Sequence, residues 1–314
     1  MAELAAGNVL AQPLAEMLRP TTTICALACA FTIACMPAVR RSGGPPSTAQ
    51  LDEFWIDPGP TPRDLLAGPP ANGHVHPATD ARFTVVKRDT GGFSITYRVR
   101  DERGREWSVK IGPEAQPEVV SARIVWAVGY HQVPSFFVER WIAVDARGSM
   151  LGGARFRPVD VGLKSRGRWS WQELLALMMI LNSTDLKNDN NSVYDAIGPP
   201  RGRASRRYVV KDIGASLGET GRMDPRRGYI DGFEREPFIT GVKNGLVMFA
   251  FRGRHQELLQ HITVDDVKWI CRQLQQLTDR QWHDAFRAGN CSDDVAARYV
   301  ARIRQKITEG LELR

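Results

Sequence analysis

The chain has 314 residues, with 42 Lys and Arg against 35 Asp and Glu, for a formal net charge of +7. Its 43% hydrophobic and 25% charged residues describe one large or two modest globular domains; they exclude a disordered tail, a collagen-like repeat and a many-pass membrane protein. Five cysteines without a Cys-x-x-Cys pair exclude a disulfide-dense scaffold and give no zinc signature, and the basic balance permits an acidic partner without requiring one.

No residue from Pro20 to Val39 is charged, and Arg19 stands just before the run. A basic residue followed by a short apolar stretch that ends in small residues has the layout of a secretory signal peptide. The apolar core, Thr21–Ala34, falls short of the roughly 20 residues a membrane span needs. Glu3 and Glu16 fit an n-region badly, which makes Met17 a candidate start. Cys35 follows Thr32-Ile33-Ala34 as in a lipoprotein cleavage box, with Cys29 the weaker candidate; a single uncleaved anchor is the plainer reading. The expectation is residues 1–35 as a lipoprotein-type signal and an exported protein anchored through lipid at Cys35. The protein is cytoplasmic if that signal is misread. Cleavage there leaves Cys271 and Cys291, which either pair or stay as buried thiols.

Residues 36–80 read as a linker, since nine of the 19 prolines fall between Pro37 and Pro77. Within it, Leu51–Ile56 and Asp64-Leu65-Leu66 are apolar enough to dock on the domain that begins near Ala81. His74-Val75-His76 offers a His-x-His pair, more simply read as loop.

From Ala81 the pattern predicts strands at Phe83–Lys87, Phe93–Arg100 and Glu106–Ile111, joined by turns at Asp89–Gly92 and Asp101–Gly104. Pro117 opens a helix that Gly129 closes. Phe136–Val144 predicts a fourth strand and Ala154–Arg157 a fifth. Ser170-Trp171-Gln172-Glu173 reads as a capping box ahead of a helix to Leu181 that is apolar nearly all round. The densest polar segment comes next, Asn182–Asn191, then a hairpin of Ser192–Asp195 and Arg207–Lys211. Pairing those two strands places Asn190 and Asp212 at one open end, with Asp185 close by. An amide oxygen and a carboxylate suit Mg2+ when phosphates complete its shell. A second carboxylate can orient, or take a proton from, an attacking hydroxyl.

Asp185-Leu186-Lys187-x-x-Asn190 resembles the protein-kinase catalytic loop, and Asp212-Ile213-Gly214 resembles the kinase metal-binding Asp-Phe-Gly. Val109-Lys110 on a third strand is similar to the phosphate-pairing lysine, and Gly91-Gly92 to the glycine-rich loop. Asn190-Asn191 ahead of a Tyr-containing strand looks more like the spore-coat protein H and HipA-type atypical kinases than like ordinary ones. The likeness covers about Ala81 to Gly218. Ser183-Thr184 replace the His-Arg that ordinarily precedes the catalytic Asp, the glycine loop has two glycines, and no Ala-Pro-Glu follows Gly214. Glu118 is the expected partner of Lys110, with Glu114 in reserve.

The remaining charged features have plainer readings. Arg201, Arg203, Arg206 and Arg207 form a basic turn, whereas Arg222, Arg226 and Arg227 lie where a kinase-like chain faces its substrate. Thr263, Thr278 and Ser292 each begin a C-terminal helix. The Arg298–Lys306 stripe is a cationic helix face, with no motif for nucleic acid beside it.

The fold class expected is α+β: a kinase-like bilobal domain with a five-stranded antiparallel N-lobe (81–157) and a mainly helical C-lobe (158–314). The resemblance implies Mg2+-dependent (or Mn2+-dependent) phosphoryl transfer from ATP to a hydroxyl acceptor of unknown class. In it Gly91 and Gly92 approach the phosphates, Lys110 pairs with them and Glu118 holds Lys110. Asp185 is the base, Lys187 steadies the transferring group, and Asn190 and Asp212 hold the metal. The alternative is a non-catalytic, surface-tethered binding module, which the export signal favours because an exported lipoprotein meets little ATP. A metal hydrolase built on His74 and His76 is the remote third reading.

Overall fold

The computed structural model describes residues 48–70, 75–144, 149–159, 164–166, 171–195, 206–221 and 223–314. The signal-peptide reading with Cys35, the Gly43–Pro46 start of the linker, His74, the Ser170 cap, Arg201, Arg203 and Arg222 lie outside those residues. Among the described residues no helix is long and apolar enough to cross a membrane.

Helix α1 (Thr48–Phe54) and the turn after it lie against the helical part of the protein. Trp55 donates its indole N–H to Val128 O at 2.6 Å, Phe54 meets Trp171 and Tyr208, and Leu65 is fully buried.

Strands β1 (Arg82–Asp89), β2 (Ile95–Arg100) and β3 (Glu106–Ile111) form the expected antiparallel meander. Helix α2 (Ala115–Ala127) begins two residues before Pro117, which still falls in the first turn, where its missing N–H costs nothing. The expected strand Phe136–Val144 is two strands, β4 (Phe136–Val138) and β5 (Trp141–Val144), parted at Glu139-Arg140. Arg140 pairs with Asp80 at 2.8 Å there, and the chain crosses to the far side of the sheet. After β6 (Ser149–Leu151) and β7 (Ala154–Pro158), the sheet order is β4-β7-β3-β2-β1-β5-β6. The sheet thus has seven strands rather than five, and β1 runs parallel to β5.

Four neighbour steps separate β7 from β5, roughly 19 Å in a flat sheet. Yet the rings of Phe156 on β7 and Trp141 on β5 lie 5.4 Å apart. The sheet therefore curls around its own apolar face, where Phe83, Trp107, Val109, Trp141 and Phe156 are buried. Alternation along β3 and β7 turns Lys110, Arg155 and Arg157 to the opposite face, with Lys110 beside Arg155 in register.

Beyond β8 (Lys164–Arg166), α3 (Gln172–Ile180) is buried from Leu174 onward, as its nearly continuous apolar surface requires. Its N-cap is Trp171, without a side-chain cap. Strands β9 (Asn191–Asp195) and β10 (Arg206–Val210) pair antiparallel, with Asn191 opposite Val210, and β8 adds a third strand beside β9. A second core surrounds α3 and the later helices α4 (Ile230–Arg235), α5 (Val264–Gln275), α6 (Asp279–Ala288) and α7 (Asp293–Leu311). Capping boxes start α5 (Thr263 with Asp266) and α6 (Thr278 with Gln281). Ser292 begins α7, but its side chain accepts no helix N–H. The hairpin of β11 (Ile239–Lys243) and β12 (Leu246–Phe249) turns at Asn244-Gly245, both at positive φ, as a tight two-residue turn demands. Cys271 and Cys291 are free thiols.

Candidate active site

The site begins with the face of the sheet opposite the aromatic core. Lys110, Arg155 and Arg157 project from two adjacent strands, and three cations on one buried face require anions. The first turn of α2 supplies one: Glu118, 2% exposed. Its carboxylate meets Lys110 Nζ at 2.8 Å, Arg155 Nε at 2.8 Å and Arg157 Nη1 at 3.2 Å. Glu114, one turn earlier, pairs with Lys110 at 3.1 Å and accepts from Ser94 Oγ at 2.9 Å. Lys110 Nζ also donates to Asp212 Oδ1 at 2.7 Å, across 102 positions of sequence. Both glutamates considered for Lys110 thus reach it.

Burial works against the Lys110 ammonium, but the carboxylates of Glu118 and Asp212 outweigh it and hold its pKa above the ordinary lysine value. Burial likewise acts to raise the Asp212 pKa, but the Lys110 charge and hydrogen bond together with the charges of Arg157 and Arg155 more than reverse this, holding the carboxyl well below the usual range. The Asp212 side chain stays 38% exposed, so a ligand in the cleft can reach it.

Asp185 and Lys187 stand on either side of buried Leu186 in the loop that leaves α3. Their side chains form an ion pair at 2.7 Å. Burial acts to lower the Lys187 pKa, but the hydrogen bond to Asp185 together with the charges of Asp185, Asp212 and Glu114 raises it above the ordinary lysine value. Asn190 Nδ2 donates to Asp185 O at 2.7 Å, and the N–H of Lys211 donates to Asn190 O at 2.9 Å, so Asn190 sits beside the residue preceding Asp212. The two loops are also laced by Thr184 N to Ala215 O and Leu217 N to Leu181 O, both 2.8 Å. Asn182, at φ 52°, donates its amide to Gly218 O at 2.7 Å, and Lys306 from α7 donates to Asn182 Oδ1 at 2.7 Å.

These residues border a cleft of about 440 Å3 whose walls include Gly92, Lys110, Asp185, Lys187, Asp212 and Arg227. Gly91 is not among its lining residues; its N–H turns back to Asp89 Oδ1 at 3.0 Å. Asn190 lies behind the lining. Arg227 lies over the Phe93 ring at 3.4 Å and pairs with Glu114 at 2.9 Å, fastening the segment after Asp212 to the tip of the β1–β2 turn. Sequence reasoning missed Arg155 and Arg157, and it placed Lys306 on a cationic helix face where the structure instead buries it completely. Arginines two apart on a central strand were the available signal for the first two, because both must share one buried face.

Among the described residues no cluster of three or more His, Cys, Asp or Glu is placed to hold a metal. A divalent ion in this cleft would have the Asn190 amide oxygen and the Asp212 carboxylate as its protein donors, a set that suits Mg2+ when phosphate oxygens and water fill the rest. His76 Nδ1 lies 2.7 Å from Pro77 O, away from this cleft's lining.

No family model matches the sequence, and no curated protein matches it. A solved structure titled "Crystal structure of the golgi casein kinase" is similar over 76% of this chain and 74% of that one, at 6% identity and a TM-score of 0.40.

Proposed function

We propose that the protein is an atypical kinase-like phosphotransferase that moves the terminal phosphoryl group of ATP to a hydroxyl. One observation carries the reading: Lys110 contacts Glu118, Glu114 and Asp212 at once, in a cleft that also holds Asp185 and Lys187. A lysine fixed by a helix carboxylate beside a metal-holding aspartate is the arrangement phosphoryl transfer needs, since that chemistry rests on positioning and charge stabilisation.

Asn190 and Asp212 would hold the metal. Bound Mg2+–ATP would supply the transferable group, with ADP as the leaving group, and the ion would offset part of the phosphate charge. Lys110 shifts its hydrogen bonding from Asp212 toward phosphate oxygens while Glu118 keeps its ammonium in place. Asp185 orients the acceptor hydroxyl and takes its proton. Lys187 leaves Asp185 to stabilise charge on the transferring group, and the main chain at Gly92 approaches the phosphates without a side chain in the way.

Thermal unfolding of the full chain with ATP and Mg2+ tests the binding half. A ligand at about 100 times its dissociation constant adds roughly 2.7 kcal/mol, an easily read upward shift. Lys110→Ala shrinks that shift, and Asp212→Ala removes its metal dependence. No shift with any nucleotide and divalent ion contradicts the reading. Binding without ATP consumption supports the non-catalytic module instead.

A further inference from the structure

The β1–β2 turn, residues 90–94, contains Gly91 and Gly92, and glycines give a main chain little conformational preference of its own. Within the hairpin, Gly91 donates its N–H to Asp89 Oδ1 at 3.0 Å. Further ties reach the turn from outside the hairpin. Ser94 Oγ donates to Glu114 Oε2 at 2.9 Å, and the half-exposed Phe93 ring lies under Arg227, whose Cζ is 3.4 Å from the ring centre. Arg227 Nε meets the other oxygen of the same carboxylate, Glu114 Oε1, at 2.9 Å. Glu114 therefore joins the turn, α2 and the segment after Asp212 at one point.

Arg227 is the fixed member of this contact. The N–H of Glu219 donates to Arg226 O at 2.9 Å and that of Gly228 to Ser216 O at 3.0 Å, bringing the segment back to buried Ser216 and Leu217. Gly228, at φ 56°, sits so close to α2 that a Cβ there would fall 2.8 Å from Pro117 Cγ. The Arg227 side chain is 15% exposed, whereas Arg226 beside it is largely exposed and pairs with Glu219 at 2.6 Å. The Arg227 guanidinium is already engaged by Phe93, Glu114 and Asp224, so it is placed to hold the turn rather than to meet an acceptor.

We propose that Arg227 is a positioning residue of this site: through Phe93 and Glu114 it holds the β1–β2 turn over the cleft and so fixes the Gly92 main chain that meets the phosphates. The phosphate role rests on the phosphotransferase reading; the hold on the turn does not. A turn fixed before the ligand arrives has less freedom to lose on binding, so loss of the contact weakens nucleotide binding.

Two measurements on the full chain test this. In chymotrypsin digestion without nucleotide, Arg227→Ala speeds cleavage of the Phe93–Ser94 bond, while cleavage after Phe156, fully buried in the same sheet, keeps its wild-type rate. In calorimetric titration with Mg2+–ATP, Arg227→Ala and Phe93→Ala each weaken binding by about three- to tenfold, the scale of one cation–π contact. The double variant binds no more weakly than the weaker single one, because both break the same contact. Phe93→Tyr keeps the ring face and binds as wild type does. Should Arg227→Ala fail to fold, the half-exposed Phe93 still allows the Ala and Tyr variants to be compared. Unchanged cleavage after Phe93, equal acceleration after Phe156, or a Tyr variant as weak as the Ala one overturns the proposal. Additive losses in the double variant also overturn it, since Arg227 then acts on the nucleotide itself. Faster cleavage in Arg227→Ala with no nucleotide binding in wild type overturns the phosphotransferase reading and the phosphate role of the turn, while bearing out the hold of Arg227 on it.

Discussion

Two buried lysines show how differently one side chain behaves in the two parts of this molecule. Lys110, on the sheet, stands among Glu114, Glu118 and Asp212. Lys306, on α7, is fully buried in the helical core and donates to Ile180 O at 2.9 Å and Asn182 Oδ1 at 2.7 Å, with its Nζ 4.2 Å from the centre of the Phe233 ring. Burial acts first against the charge of both. Carboxylates reverse it at Lys110. At Lys306 burial prevails and Arg302 adds to it, against weaker opposition from Glu309 and Glu236, so its pKa falls well below the ordinary lysine value. Burial therefore keeps a charge only where counter-charges are built around it. The sheet keeps its lysine charged among carboxylates, and the helical core uses an amine chiefly as a hydrogen-bond donor.

The sharpest break in this comparison is Lys110→Met. It leaves Glu118 with its arginines and Asp212 without its cation, and is expected to cost about 3 kcal/mol in chemical denaturation, the scale for breaking one side of a buried ion pair. Adding Asp212→Asn, which removes the carboxylate left without its cation, recovers part of the loss, and unchanged stability in the single variant refutes the network. Lys306→Met costs about 1–3 kcal/mol near neutral pH, because two buried oxygens lose their donor.

The pH dependence separates the two lysines more finely. Lys306 has a lowered folded pKa, so the unfolded chain, titrating near 10.4, binds more protons between those two values and stability rises with pH there. The advantage of wild type over Lys306→Met therefore grows as pH rises between the lowered folded value and the unfolded one. Lys110 has a raised folded pKa; its contribution is complete below the unfolded value of about 10.4 and is lost only as pH rises through the folded one. The gap between wild type and Lys110→Met stays flat over the same window. Equal slopes in the two pairs contradict the comparison.

Helix caps give a smaller effect. Thr263→Ala and Thr278→Ala each cost about 1 kcal/mol in urea unfolding, whereas Ser292→Ala, which removes no bond to a helix N–H, costs a few tenths. Smallest of all is an effect on rate alone. Burial pushes Cys271 up to about 12 and Cys291 up to about 11, so alkylation near neutral pH is slow in the native protein and speeds up on unfolding.

Much of the sheet was legible because its first three strands are local: alternating residues and glycine turns set both pairings. The parallel contact of β1 with β5 was not, because 82–84 and 142–144 carry no mark of one another. The break at Glu139-Arg140 was written as two adjacent charges within an apolar run, and the Asp80 partner that fixes it lies 60 positions earlier. At the site, the β9–β10 register follows from the hairpin, so the neighbourhood of Asn190 and Asp212 could be inferred from spacing. Arg155, Arg157 and Lys306 act through residues from 37 to 126 positions away, and no local pattern announces such partners.

The most direct test of the phosphotransferase reading is transfer of label from ATP carrying a labelled terminal phosphate, in the presence of Mg2+. The full chain, Asp185→Asn and Asp212→Asn are compared on a mixture of hydroxyl acceptors, with ATP consumption followed in parallel. Wild type should label itself or an acceptor. Asp185→Asn should keep nucleotide binding and lose about two or more orders of magnitude in rate, the scale for a general base. Asp212→Asn should weaken both binding and rate. Equal trace activity in wild type and Asp185→Asn would contradict the assignment of this cleft to phosphoryl transfer.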